Sequence, residues 1–348
     1  MTAFNHGRRC ALAALGAAAL GALLPVRAAA PALIRPRCRV ILDNDFAGDP
    51  DGLFQAAHHL LSPSADVRFI VGSHLHATEA FLPKGNQAAA SATKARELLS
   101  MMGLADRVRV IAGAETALES DRPSAWAAAD AIIAEALQAD EALPLFYCAG
   151  AGLTDLATAW LREPRIGRHL TLVWIGGPEY PGIWYPPPQQ EPSEYNLTID
   201  IKAAQVVFGK SDIPIWQVPR STYRQMMVSY EELVDKVRPS RAVGDYLVRQ
   251  IERVMAELQK PPRTVNLGEV YILGDSPLVT LTALMSPWTP DPSSSLYVTR
   301  PCPNINDQGE YVPRPEGRAI RVYSQIDTRL TVEDLYSKLR HAMPPKRG

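Results

Sequence analysis

The sequence predicts an α/β fold, a mainly parallel sheet with helices on both faces, and three observations carry that expectation. Short β-branched runs recur at residues 40–42, 67–72, 108–112, 145–149, 170–177, 213–218, 270–273 and 320–323. Ala- and Leu-rich stretches with helical spacing lie between many of them, at 88–101, 125–138, 201–208 and 243–258. Alternation of the two patterns is what a parallel sheet with helical crossovers requires. The third observation is the stretch LDNDFAGDPDG, residues 42–52, which sets four aspartates behind the first apolar run. In open parallel sheets, ligands bind beyond the carboxyl ends of the strands.

From the N-terminus onward, residues 1–30 differ in kind from the rest. Arg8 and Arg9 precede a run, 11–24, of Ala, Leu and Gly alone, and three alanines follow at 28–30. This reads as a signal peptide, too short for a comfortable membrane span, and predicts an exported, periplasmic or secreted protein. The paired arginines leave Sec and twin-arginine export both open. The remaining 31–348 has no Gly/Ser linker, charge run or internal repeat and is expected to be one domain. Its Pro-rich stretches, 178–192 and 287–303, are expected as surface loops framing a cleft.

Composition narrows the partner. Of 348 residues 36 are basic and 37 acidic, a net charge of −1, so no global field favours nucleic acid or an anionic membrane. A small-molecule partner is expected. Past the leader, Cys38, Cys148 and Cys302 form no C-x-x-C spacing, which indicates neither a zinc site nor a disulfide framework. Cys148, inside an apolar run, is expected in the core, and a Cys38–Cys302 pair stays open in an oxidising compartment.

Asp43, Asp45, Asp49 and Asp51 cannot all ionise side by side without a cation, because like charges a few ångströms apart raise one another's pKa. A bound metal resolves the conflict, and all-oxygen ligation suits Ca²⁺ or Mg²⁺ better than zinc. The plainer alternative is a surface turn with Asp49 capping a helix. Two enzyme classes place aspartates after a first strand. A dehalogenase-type phosphatase would use Asp43 as nucleophile and Asp45 as acid, but would leave the later carboxylates without a task.

The other class is the inosine-uridine preferring nucleoside hydrolases, whose strand-end motif D-x-D-x-G-x-D-D residues 43–52 resemble in a longer form. Further similarities follow in order. GNQAAASATKARELL, with Asn86, resembles the segment carrying a ribose-binding Asn, and AGAGLTDLATAWLREP resembles the G-x-L-T-N segment. PSEYNLTIDIKAAQVVF, with Glu194 and Asn196, resembles A-E-F-N-x-x-x-D-P-E-A-A, and LGDSPLVTL resembles the H-D-P-L segment. The collinear matches run from Arg39 to Leu284.

The resemblance implies a Rossmann-like nucleoside hydrolase core and calcium-dependent hydrolysis of the N-glycosidic bond of ribonucleosides or related N-ribosyl compounds. It implies Asp45, Asp49, Asp275 and the carbonyl of Gly150 as metal ligands, and Asn86, Glu194 and Asn196 on the ribose. Asp51 is expected as the base and Asp49 as the source of a metal oxygen, with the two roles exchangeable according to where the inserted pair is placed. Homo-oligomers are common in the family. Asp200 is expected as a helix cap, Asp155 as a cap or helix-surface residue, and His58 and His59 as core and helix-surface residues.

The departure from the family pattern is Gly274, where many members carry a His that serves the leaving base. His74, His76, Tyr180, Trp184 and Tyr185 are the candidates to replace it. A periplasmic ribose- or nucleoside-binding protein without turnover is the alternative that Gly274 keeps open.

Overall fold

The computed structural model describes residues 33–77, 79, 85–122, 125–139, 142–184, 193–285 and 295–341. The expected signal peptide and Tyr185 lie outside the described residues. Ile34–Gly348 forms one compact unit. Its strands are β1 (Cys38–Asn44), β2 (Ala65–Gly72), β3 (Arg109–Ala112), β4 (Leu145–Ala149), β5 (Leu170–Ile175), β6 (Ile215–Val218), β7 (Met227–Ser229), β8 (Val270–Ile272), β9 (Leu296–Pro301), β10 (Asn304–Ile305), β11 (Tyr311–Val312) and β12 (Ala319–Gln325). The helices are α1 (Asp51–Leu60), α2 (Gln87–Met101), α3 (Ala127–Ala136), α4 (Thr154–Arg162), α5 (Tyr195–Ile199), α6 (Ile201–Gln205), α7 (Arg220–Tyr223), α8 (Tyr230–Glu232), α9 (Arg241–Leu258), α10 (Pro277–Thr280) and α11 (Thr328–His341).

Eight strands form one sheet in the order β3-β2-β1-β4-β5-β6-β12-β9, parallel throughout except that β9 runs against β12 at the edge. The predicted fold class is therefore observed. β1 lies inside the sheet between β2 and β4, and all seven of its residues are buried. Its alternating side chains enter two separate cores: Val40 and Leu42 pack with α1, α9 and α11, whereas Ile41 packs with Tyr147 and α3. Burying each such aliphatic side chain contributes about 2 kcal/mol, which makes β1 the rigid member that carries the aspartate loop.

Three expectations about elements change. The run 270–273 forms β8, which pairs with β7 in a separate antiparallel hairpin rather than joining the main sheet. The stretch 287–303 is not wholly loop, since Leu296–Pro301 is the edge strand β9, a position that tolerates a proline lacking its N–H. The helix expected over 201–208 ends at Gln205 and continues as a wider π-type turn, Val206–Lys210. Cys38, Cys148 and Cys302 are free and buried, so the Cys38–Cys302 pair does not form. Among the described residues no helix is long and apolar enough to cross a membrane.

Candidate active site

β1 ends at Asn44, and the chain turns through Phe46–Gly48 before α1 begins at Asp51. Gly48 N donates to Asp45 O at 2.7 Å, closing the turn, and Asp45 N donates to Asn44 Oδ1 at 2.9 Å. A Cβ at Gly48 would stand 2.6 Å from Leu75 Cδ2, so the Leu75 side chain would have to shift to admit one. The turn thus delivers Asp45, Asp49 and Asp51 to the carboxyl edge of the sheet. They line one cavity of about 610 Å³ with Glu79, Gly150, Glu194, Asn196 and Asp275.

Four of these aspartates act on one another. Burial lifts Asp45 well above the ordinary carboxylate range, and the charges of Asp275 and Asp49 lift it further. Asp51 is raised by burial and then by Asp275, Asp49 and Asp45. Asp275 is pushed up to about 7, chiefly by burial, against the pull of the Asn44 amide that donates to its Oδ2 at 2.7 Å. Asp49 reaches solvent, yet the enclosing protein still raises it. Its Oδ1 accepts from Tyr271 Oη at 2.7 Å and from Asp51 N at 3.3 Å, while Oδ2 meets no partner among the described residues. Both Asp51 oxygens, in contrast, accept backbone N–H groups, Oδ1 from Gly52 and Oδ2 from Asp275.

Asp43 lies apart from this group. Its carboxylate accepts from Ser73 and Tyr147 on the other face of β1, burial raises it to about 6, and it does not line the cavity. A phosphatase nucleophile would have to face the substrate, so this placement removes the role that the dehalogenase alternative assigned to it.

The donor set suits a hard divalent ion. Among the described residues no three His, Cys, Asp or Glu side chains close into a finished metal shell. Still, four carboxylates that penalise one another's ionisation on one cavity wall need a cation to be charged together. Asp45, Asp49, Asp51 and Asp275 would hold it. Gly150 stands against the same wall: a Cβ there would come within 2.3 Å of Asn44 Nδ2 and 2.7 Å of Asp275 Oδ2. Its carbonyl accepts from Asn196 Nδ2 at 3.1 Å, which uses one lone pair and leaves the second.

Glu194 and Asn196 both reach the cavity, but each also holds backbone. The buried Glu194 caps α5, accepting from Gly177 N, Leu197 N and Asn196 N, and from Tyr223 Oη at 2.9 Å. Asn196 spends its amide hydrogens on Gly150 O and Ile175 O, so its Oδ1 is the atom left for a ligand. Asn86 does not line the cavity; it is an exposed residue at φ 64° just before α2. Asp200 caps α6 as expected, accepting from Ala203 N at 2.8 Å. Asp155 is not a surface residue but a buried acceptor for Ala114 N. Neither histidine of α1 is on the surface: His58 contacts Asp334 and His59 contacts Thr282.

None of the described candidates to replace a residue-274 side chain lines the cavity. His74 is held between Leu75 O and Thr154, Tyr180 stacks on Tyr311, and Trp184 donates to Ser324 O. Sequence reasoning missed Glu79, Tyr195, Tyr223, Arg224 and Tyr271. Tyr223 packs where a Gly274 side chain would begin, 3.3 Å from that Cβ position, with Asp51 Oδ2 at 3.2 Å. Tyr195 is the one with a visible signal, since it stands between Glu194 and Asn196 in a segment the family pattern marks.

The model of the family described as inosine-uridine preferring nucleoside hydrolase matches residues 40–287. The chain belongs to this family. It is a hydrolase of the nucleoside hydrolase type, and the family's reaction is hydrolysis of the nucleoside N-glycosidic bond. Solved structures share its fold. The inosine-uridine preferring nucleoside hydrolase of Bacillus anthracis is 17% identical, with a TM-score of 0.61, 87% of this chain and 99% of that chain covered. A plant nucleoside hydrolase is 17% identical, with a TM-score of 0.64 and coverage of 88% and 100%. A purine-preferring ribonucleoside hydrolase from Gardnerella vaginalis is 17% identical, with a TM-score of 0.61 and coverage of 87% and 98%. No curated protein matches the sequence.

Proposed function

We propose that this nucleoside hydrolase cleaves ribonucleosides or related N-ribosyl compounds to free base and ribose, with a calcium ion held by Asp45, Asp49, Asp51, Asp275 and the Gly150 carbonyl. The observation that carries the reading is the collection of those four carboxylates with Asn196 and Glu194 on one cavity of a chain in this family. When bound, the ion would supply a water of lowered pKa and a grip on vicinal sugar hydroxyls.

The chain's residues do the rest. Asp49, whose carboxyl reaches solvent so that a proton can leave, takes the proton of the attacking water, the second of the two assignments that the spacing of Asp49 and Asp51 allows. Asp51 shares the metal wall with Asp275. Asn196 Oδ1 accepts from a ribose hydroxyl, while Glu194 caps α5, the helix that carries Asn196. Apolar side chains of Val254, Leu258 and Ile272 line the same cavity and exclude water around the heterocycle.

Export is part of the proposal, supported by the leader-like composition of residues 1–30, and N-terminal sequencing of protein recovered from the periplasm checks it. The reaction is tested by ribose release from purine and pyrimidine nucleosides with and without a calcium chelator. Release abolished by chelation and restored by calcium supports the reading; release indifferent to chelation sinks its metal component.

A further inference from the structure

The base side of the cavity bears on which heterocycle leaves, a question that rests on the hydrolase reading above. A neutral nucleoside needs its departing nitrogen protonated or hydrogen-bonded as the C1′–N bond breaks. Among the described lining residues no histidine or lysine and no uncommitted phenol offers that service. The three phenols present already donate to carboxylates: Tyr195 to Glu79 at 2.9 Å, Tyr223 to Glu194 at 2.9 Å and Tyr271 to Asp49 at 2.7 Å. Residue 274 is a glycine. His74 is occupied elsewhere, and His76 stands beyond Tyr195, its ring centroid 6.1 Å from that ring, without lining the cavity. Arg224 lines the cavity but is not a general acid, and its charge also bears on Glu179 and Tyr223.

The same lining is built for positive charge. Six carboxylates, counting Glu79 and Glu194, and one arginine are among its described lining residues, with Arg263 4.0 Å from Glu79, and a divalent ion would still leave that lining negative. The aromatic rings of Tyr195, Tyr223 and Tyr271 offer cation–π surface. Glu79 is the carboxylate that the reaction itself does not require. It is nearly buried, takes the Tyr195 hydroxyl and lies 4.0 Å from Arg263, so its charge is positioned rather than left to solvent.

We infer that the preferred substrates are N-ribosides whose leaving heterocycle already carries a positive charge, such as a pyridinium or an N7-alkylated purine, with Glu79 and Tyr195 as the selecting pair. Such a base needs no general acid. Water oxygen bonds to C1′, the C1′–N bond breaks, and its electron pair neutralises the heterocycle, which leaves uncharged. The proton of the water passes to a carboxylate and on to solvent.

The test compares nicotinamide riboside and 7-methylguanosine with guanosine, inosine and uridine at mildly acidic pH. Each kcat/KM is divided by the spontaneous hydrolysis rate of that riboside, which removes intrinsic lability. The expected result is a corrected preference for the cationic ribosides of about tenfold or more, narrowed about tenfold by Glu79→Gln. The 1-methylnicotinamide cation should also inhibit the unaltered protein more strongly than neutral nicotinamide, a readout that does not depend on the variant folding. Equal corrected rates for guanosine and 7-methylguanosine with equal inhibition overturn the inference and leave the hydrolase reading intact. No ribose from any member of the panel removes the hydrolase reading, and the inference with it.

Discussion

The backbone nitrogen of Asp275 donates to Oδ2 of Asp51 at 3.1 Å, across 224 residues of sequence. The bond joins the first residue of α1 to the segment before α10; beside it, the Asp275 charge raises Asp51, and a side-chain hydrogen bond with Asp51 lowers Asp275. Neither residue is placed independently of the other.

For that reason Asp51→Asn and Asp275→Asn are each expected to lower kcat/KM for inosine by about a hundredfold or more, with the double variant little worse than either single one. In the presence of chelator Asp275→Asn should melt higher than the unaltered protein, because removing one of several like charges relieves repulsion while its amide oxygen still accepts from Asn44. Lower melting in chelator would contradict the crowded-carboxylate account.

Calcium should raise the melting temperature of the unaltered protein, and chelator should reverse the rise. At a hundredfold excess over Kd the stabilisation is about 2.7 kcal/mol. Asp275→Asn should lose most of the shift, which calorimetry with and without the ion reads directly.

Gly150→Ala tests the wall behind the site. Its Cβ would press on Asn44 Nδ2 and Asp275 Oδ2, so the pair must separate or the strand end must move. We expect about 1–3 kcal/mol of destabilisation in a urea melt, together with weaker calcium binding.

His59 sets an acid limit on the fold. Burial depresses its pKa to about 3, with His58 and Lys338 adding positive charge nearby. Its ring is held between Gln55 and Thr282. The unfolded state, near the ordinary histidine value of 6.5, binds the extra proton between these limits, so the stability is full above pH 6.5 and lost as pH falls toward 3. The lost contribution is on the order of 3–5 kcal/mol. Asp43, raised to about 6, works in the opposite sense, contributing below its unfolded pKa and losing that contribution as pH rises through 6. Comparing urea midpoints against pH for the unaltered protein and His59→Gln isolates the histidine; an unchanged acid slope would refute the assignment.

The parallel sheet is legible because strand and helix periods alternate plainly, and the run 145–149 matches β4 to the residue. The aspartate cluster is legible because four carboxylates in nine residues have little other use. Less visible are features that depend on distant pairing. β8 reads like a sheet strand but pairs with β7, and no local pattern distinguishes the two outcomes. Tyr223 and Tyr271 reach the cavity from α7 and β8, and their sequence neighbourhoods carry no motif. Asn86 shows the converse: a Gly-Asn pair before a helix looks the same whether it binds a sugar or makes a left-handed turn, and here the backbone takes φ 64°. Glu194 reads as sugar-binding, while capping α5 accounts for two of its hydrogen bonds and the distant Gly177 N for a third.

One property of β1 bears on how this chain can change. Asp43 faces Ser73 and Tyr147, and Asn44, the next residue, faces Asp275. Only the phase of the strand decides which side each reaches, and β2 accommodates that phase by carrying an extra residue, Arg68, opposite the Val40–Ile41 step. Deleting or inserting one residue between Cys38 and Asp43 would exchange the two faces, sending the carboxylate to the cavity and the amide to Tyr147. The turn at 46–50 has no such partner on either side in the sheet. A one-residue change of length before Asp43 therefore swaps the faces of Asp43 and Asn44, whereas one after Asp45 leaves β1 in phase and falls on the turn that Gly48 closes.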